Sequence, residues 1–221
     1  PVGPEGPAGK DGKDGTDGTA SANLDRLVGT SCRAGSGVVE ITYDGQGVAT
    51  IRCHAILRTS ISALRSGQSG ASAGDPVVVE GVVTAPYGAG GWIQEPGADA
   101  YAAIQIVGIA GSGFDRGRNV SVIGRWNGDK QINAISFAVQ GDGATIVPSD
   151  VTSVPIGILA RYEGMVVRMT GVVALTGYGA GQYFSAFVGS SSVIVWKSLY
   201  TVSGVVADTH FEALVGILVS G

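Results

Sequence analysis

The stretch VEGVVTAPYGAGGWIQE (Val79–Glu95) returns in altered form as MTGVVALTGYGAGQYFSAF (Met169–Phe187). Both run Gly-Val-Val, a short gap, Tyr-Gly-Ala-Gly, one further residue and then an aromatic-led apolar run. Gly81 maps to Gly171, and Tyr87-Gly88-Ala89-Gly90 to Tyr178-Gly179-Ala180-Gly181. β-Branched and aromatic runs on either side of a Gly-rich turn are the pattern of paired strands. The likeness resumes downstream, where VSVIGRWNGDKQINAISFAVQG closes at Gly141 as YTVSGVVADTHFEALVGILVSG closes at Gly221. Each unit therefore offers about five strands in one order. The first set is predicted at Val77–Ala85, Gly91–Gln94, Ala102–Val107, Asn119–Trp126 and Gln131–Gln140. The second is predicted at Val166–Leu175, Tyr183–Val188, Ser192–Leu199, Tyr200–Ala207 and Phe211–Ser220. Two such units in one chain predict duplication of a small barrel.

Composition agrees with a β-rich reading. The 221 residues are 44% hydrophobic and only 14% charged, with 37 glycines beside abundant Val, Ile, Thr and Ser. That length supports one large core or two small ones. A net charge of −4 offers no broad attraction to nucleic acid or to an acidic membrane. No apolar run approaches the roughly 20 residues that span a bilayer as a helix. With neither an initiator Met nor a signal peptide, the chain is expected to be a mature or trimmed form.

The chain opens PVGPEGPAGKDGKDGTDGTA, with glycine at Gly3, Gly6, Gly9, Gly12, Gly15 and Gly18. Only glycine fits at the axis of three wound polyproline-type chains, so an unbroken period of three is what a collagen helix requires. Proline in the first triplets pre-sets the backbone, and Lys and Asp in the later ones suit charge pairs between chains. The stretch resembles the collagen-like stalks of bacterial surface proteins, which implies an extracellular or cell-surface setting and self-association, with trimers at the stalk. The alternative is a flexible Gly-rich linker. So few triplets are expected to need further repeats or a trimerising head to hold three chains together.

Residues 32–53 read CRAGSGVVEITYDGQGVATIRC. Asp44-Gly45 between two β-branched runs signals a hairpin. Folding Val38–Tyr43 back on Val48–Cys53 brings Cys32 and Cys53 together, where a disulfide would suit an oxidising compartment. Two free thiols are the alternative. A metal site with the neighbouring His54 is weaker, because the spacing matches no zinc pattern. Residues 54–76 begin as a strand or short helix and end as a Ser/Gly/Ala linker, which places a boundary near Gly74-Asp75-Pro76.

The phrases VEGVVTA, GWIQEPGADAYAAIQIVG, NVSVIGRWNG and YEGMVVRMTGVVA resemble the OB-fold modules of secreted bacterial nucleases and related cell-surface proteins. The resemblance covers roughly residues 75–221 and implies two tandem barrels. The loop IAGSGFDRGR is too short for the helix that many OB barrels carry, and no nuclease domain is expected in the chain.

The expected fold class is all-β: a collagen-like stalk over 1–18, a disulfide-closed β-hairpin connector and oligomerisation segment over 19–74, and two five-stranded OB-like barrels over 75–148 and 149–221. Over 75–221, Asp and Glu outnumber the seven Lys and Arg, which argues against nucleic acid as a partner. One local cluster, Arg116, Arg118, Arg125, Trp126 and Lys130, has the mixture that steers and stacks single strands; the plainer reading is a core Trp126 among edge charges. Tyr87, Trp92, Tyr178 and Tyr183 surround the repeated Tyr-Gly-Ala-Gly, either as core anchors or as a face for a glycan or protein. The candidate ligand or partner surface is therefore Tyr87, Trp92, Trp126, Arg125 and Tyr178. His54 and His210 lack the neighbours that catalysis needs. Asp142 and Asp150 flank a run without the acidic density of a calcium loop. No enzymatic activity, cofactor or metal is expected. A structural surface protein that assembles with itself into a trimer or filament is the leading function, with an adhesin-type module or an accessory of a secreted nuclease as alternatives.

Overall fold

A computed structural model describes residues 24–97, 99–109, 112–177, 183–188, 191–196 and 204–219. The stalk glycines Gly3, Gly6, Gly9, Gly12, Gly15 and Gly18 lie outside the described residues, as do Tyr178–Gly181 and residues 200–203 of the strand expected at Tyr200–Ala207. The described residues of that stretch, 204–207, run from a bend into a turn rather than forming a strand, a correction to that expectation. The chain divides into two compact units, Pro1–His54 and Ala55–Gly221. Among the described residues, strands are the main regular structure of both.

In the first unit, β1 (Ser31–Cys32), β2 (Gly37–Tyr43) and β3 (Ala49–Ala55) lie side by side in that order. The turn between β2 and β3 is organised by Asp44. Its Oδ1 accepts from the Gln46 and Val48 amides at 3.0 and 2.8 Å, and its own amide donates to the Val48 carbonyl at 3.1 Å. This is the side-chain mimicry of a backbone turn that favours Asp at such positions. Cys32 and Cys53 form the expected disulfide, with Cα atoms 6.0 Å apart. The bridge crosses β2 over Gly37. A Cβ there would lie 2.6 Å from Cys53 Sγ, 3.0 Å from Cys32 Sγ and 2.9 Å from the His54 carbonyl oxygen. Only a residue with no side chain lets the two sulfurs meet.

The second unit is organised around one long strand, β5 (Pro76–Tyr87). It pairs in parallel with the short β4 (Leu57–Arg58), and antiparallel with β6 (Gly90–Gln94) and β8 (Arg118–Trp126). Next, β6 pairs with β7 (Ala103–Val107), and β9 (Gln131–Asp142) pairs in parallel with β7 and antiparallel with β8. The path β5–β6–β7–β9–β8 thus returns to β5. All five strands expected in this half are present. Burial alternates along β8, where Val120, Val122, Gly124 and Trp126 point inward, the pattern of a sheet with one covered face. Helix α1 (Ile61–Arg65) is capped by Ser60, whose Oγ accepts from the Ala63 amide, and it buries Ile61 and Leu64 in the core with Val77, Val79 and Ile104. Strand β4 and α1 fall in the stretch read from sequence as connector, yet they pair with and pack on this half.

The second half repeats the plan. Strand β11 (Val166–Ala174) pairs in parallel with the short β10 (Ser149–Asp150), and antiparallel with β12 (Tyr183–Val188) and β14 (His210–Ile217); β13 (Ser191–Trp196) adds to β12. A short helix α2 (Ile156–Leu159) stands between β10 and β11, as α1 stands between β4 and β5. One sequence-based match is corrected. The sequence match sets the last strand of the second half against Gln131–Gln140, but β14 pairs with β11 as β8 pairs with β5. Gly124 faces Val77 and Gly216 faces Val167. The true equivalence is therefore VIG ending at Gly124 with LVG ending at Gly216. Among the described residues no strand takes the place that β9 holds in the first half. No described helix is long and apolar enough to cross a membrane.

Cys53→Ser is expected to cost the hairpin roughly 3 kcal/mol, the value for closing a loop of about this size, and to leave the sheets of 55–221 intact. Hydrogen exchange checks this: protection should fall across β2 and β3 and persist in β5 and β8. Gly37→Ala should act similarly, with free thiols detectable by titration.

Candidate functional site

Two phrases far apart in sequence, GWIQE (Gly91–Glu95) and YEGM (Tyr162–Met165), meet where the two halves of the second unit join. Trp92 is buried against Ala85, Ala102, Met165 and Val167. Gly164 lies on its indole. A Cβ on Gly164 would stand 2.1 Å from Cε3 and 2.2 Å from Cζ3 of Trp92, and Gly164 has φ +80°. Both the contact and the left-handed backbone demand glycine. Beside it, the Gln94 side chain, 2% exposed, accepts from the Val166 amide at 2.8 Å. A buried polar atom is thereby paired with a backbone donor of the other half.

Charged groups close the rim. Glu163 is 6% exposed, and its carboxylate receives Lys130 Nζ at 2.9 and 3.1 Å. Arg65 Nη1, from α1, donates to the Ala103 carbonyl at 2.8 Å and to the Glu163 carbonyl at 2.7 Å. Burial pushes the Arg65 guanidinium below its usual pKa, opposed by the negative charges of Glu163 and Asp129. The Tyr101 ring lies 5.9 Å from the Arg65 guanidinium and 6.0 Å from that of Arg161, within cation–π range. Tyr101 itself holds φ +59°, and its amide donates to the Arg161 carbonyl at 2.6 Å. A non-glycine residue in that conformation persists only where its surroundings over-determine it. The arrangement has an apolar centre and an ion-paired edge, so it fits one half rigidly on the other.

The residues singled out from sequence are scattered. Trp92 and Trp126 do not form a partner surface, a correction to the expected candidate set: they are 5% and 4% exposed, one in the junction and the other in the first core. Trp126 falls on the side of β8 that faces the first core, whereas Trp92 lies on the opposite side of β6 from the core residue Ile93 and is covered by Met165 and Val167 of the second half. Arg125 donates to the Gly74 carbonyl at 3.0 Å. Tyr87 is 44% exposed, and its hydroxyl is hydrogen-bonded to the Gln105 side-chain amide. Tyr178 lies outside the described residues. Of the basic cluster, Lys130 is engaged at the junction and Arg118 pairs with Asp142. His54 Nδ1 stands 3.5 Å from Glu40, and His210 begins β14. Asp150 Oδ1 accepts from the Thr152 amide at 2.9 Å, and hydrogen bonding from the Thr152 side chain, followed by that from its amide, lowers the Asp150 pKa. Among the described residues, no three of His, Cys, Asp and Glu are grouped to hold a metal ion. Two clefts flank Ile109. One of about 200 Å³ is lined by Pro86, Gly88, Phe114 and Asp115, and one of about 240 Å³ by Ala134, Ser136 and Phe137.

Arg65, Tyr101 and Glu163 escaped the sequence reading. The available signal was Glu163 itself, a carboxylate between Tyr162 and the apolar run that leads from Met165 into β11. No protein-family model, curated protein or solved structure matches the chain.

Arg65→Met is expected to strand two buried carbonyl oxygens and to cost about 2–4 kcal/mol. Arg65→Lys should cost less, because one ammonium can still reach one carbonyl. Urea unfolding followed by tryptophan fluorescence checks both.

Proposed function

We propose that the protein is a structural component of an extracellular or cell-surface assembly, and that it associates with itself through a collagen-like stalk at Pro1–Gly18. The observation that carries this reading is the unbroken glycine register from Gly3 to Gly18. In a lone chain, glycine at every third position only raises the entropy cost of ordering. It becomes useful when three chains approach one axis, where any side chain would clash. The disulfide is compatible with an oxidising setting outside the cell.

The two halves of 55–221 are, on this reading, OB-like β modules carried at the end of the stalk. Support comes from the pairing path that returns to β5, with β7 and β9 parallel, and from the matching partners of β11. A five-stranded barrel of the OB type has this kind of closure. A binding role draws on exposed Tyr87 near the cleft at Pro86 and Gly88, but the burial of Trp92 and Trp126 removes the broad aromatic face that a glycan platform needs. The acidic balance and the engagement of Arg118 and Lys130 by carboxylates work against nucleic acid.

Light scattering of the intact chain tests the proposal: trimers or larger assemblies are expected. Gly9→Ala should lower the melting temperature of the assembly while the sheets of 55–221 keep theirs. A monomer in which Pro1–Gly18 is cut readily by general proteases overturns the reading.

A further inference from the structure

We infer that one face of the disulfide-braced sheet in the first unit is the surface on which three copies of this chain meet, next to the stalk. This rests on the stalk reading above and names the contact that locks it. Side chains alternate across a strand. The Cβ direction of Gly37 meets Cys53 Sγ, so Gly37, Val39 and Ile41 share a face with Ala49, Ile51 and Cys53. The other face carries Glu40, Thr42, Thr50, Arg52 and His54, and the 3.5 Å approach of Glu40 to His54 agrees with that division. The first face is mainly apolar; the other is mainly polar, with the buried Val38 at its end.

The apolar face is open. Ile51 is 52% exposed and Val48, in the turn, 61%. Val39 and Ile41 are half-buried. Val38, on the other face, is the one large apolar side chain fully buried among the described residues 24–54. A sheet this small is marginal unless its apolar face packs on another layer, and a disulfide constrains the chain without supplying that layer.

The occupant follows from what precedes the sheet. The glycine register ends at Gly18, and the described chain begins at Leu24. A triple helix has no apolar core, so its end needs an element that buries apolar surface. Three chains held at one axis also deliver three identical sheets to one place at high effective concentration. Equivalent faces arranged about that axis close into a ring. Leu27 and Val28, between the stalk and the sheet, are exposed as well, at 42% and 48%.

The test is the mass of the full chain by light scattering, in wild type, Ile41→Lys/Ile51→Lys, Ile51→Val and Gly9→Ala/Gly12→Ala. The wild type and Ile51→Val should be trimers. The lysine variant should fall threefold in mass, with its disulfide intact by mass spectrometry and its tryptophan fluorescence unchanged. A lysine variant that stays trimeric while the glycine variant dissociates sinks this inference and leaves the stalk reading standing. A monomeric wild type sinks both. A monomer with Ile51 shielded from hydroxyl-radical labelling means that the chain's own residues cover the face, and it also overturns the proposal.

Discussion

The seating of Gly164 on the indole of Trp92 is the contact on which the larger unit depends. Each half has its own strands and its own apolar cluster, so nothing in strand pairing alone obliges them to hold one orientation. The indole presents a flat, rigid surface, and the backbone of the second half reaches it only because residue 164 has no side chain. Once that approach is made, Gln94 meets the Val166 amide, Arg65 reaches the carbonyls of Ala103 and Glu163, and Lys130 meets the Glu163 carboxylate. Polar pairs in such a setting are worth little until water is excluded, and they become geometrically demanding afterwards. The apolar contact comes first in the logic, and the polar set defines the angle.

The sequence made the first half readable because its strands carry β-branched residues bounded by Gly-rich turns. Observed strands depart from expectation by no more than two residues at any end, as in β5, which runs Pro76–Tyr87 where Val77–Ala85 was expected. The disulfide was readable for a similar local reason: Asp44 organises a turn midway between two cysteines. The last strand of the second half was misassigned, because an apolar run with a terminal glycine does not specify its neighbour. Gly124 and Gly216 could be matched only once both were seen opposite the same position of the central strand.

The candidate surface was less legible, for a physical reason. A tryptophan on a strand gives the same signal whether its strand presents that face to a core or to a ligand. Trp126 faces the first core, and Trp92 faces away from it, where the second half covers it. Arg65 and Glu163 were invisible for the converse reason, since a lone charge near a turn reads as solvated surface. Their burial arises from long-range contact, Arg65 on α1 reaching residues almost a hundred positions away. A junction of this type holds the two halves of 55–221 in one orientation.

A double-mutant cycle on Trp92 and Gly164 tests that central contact most directly. Gly164→Ala alone combines left-handed strain of about 1–2 kcal/mol with overpacking of about 1–3 kcal/mol. In a Trp92→Ala background the ring is gone, so only the strain should remain. Equilibrium unfolding of the four proteins should therefore show a coupling of at least about 1 kcal/mol. Costs that simply add, to within roughly 0.5 kcal/mol, would mean that the two residues do not meet and that the junction is not built on this contact.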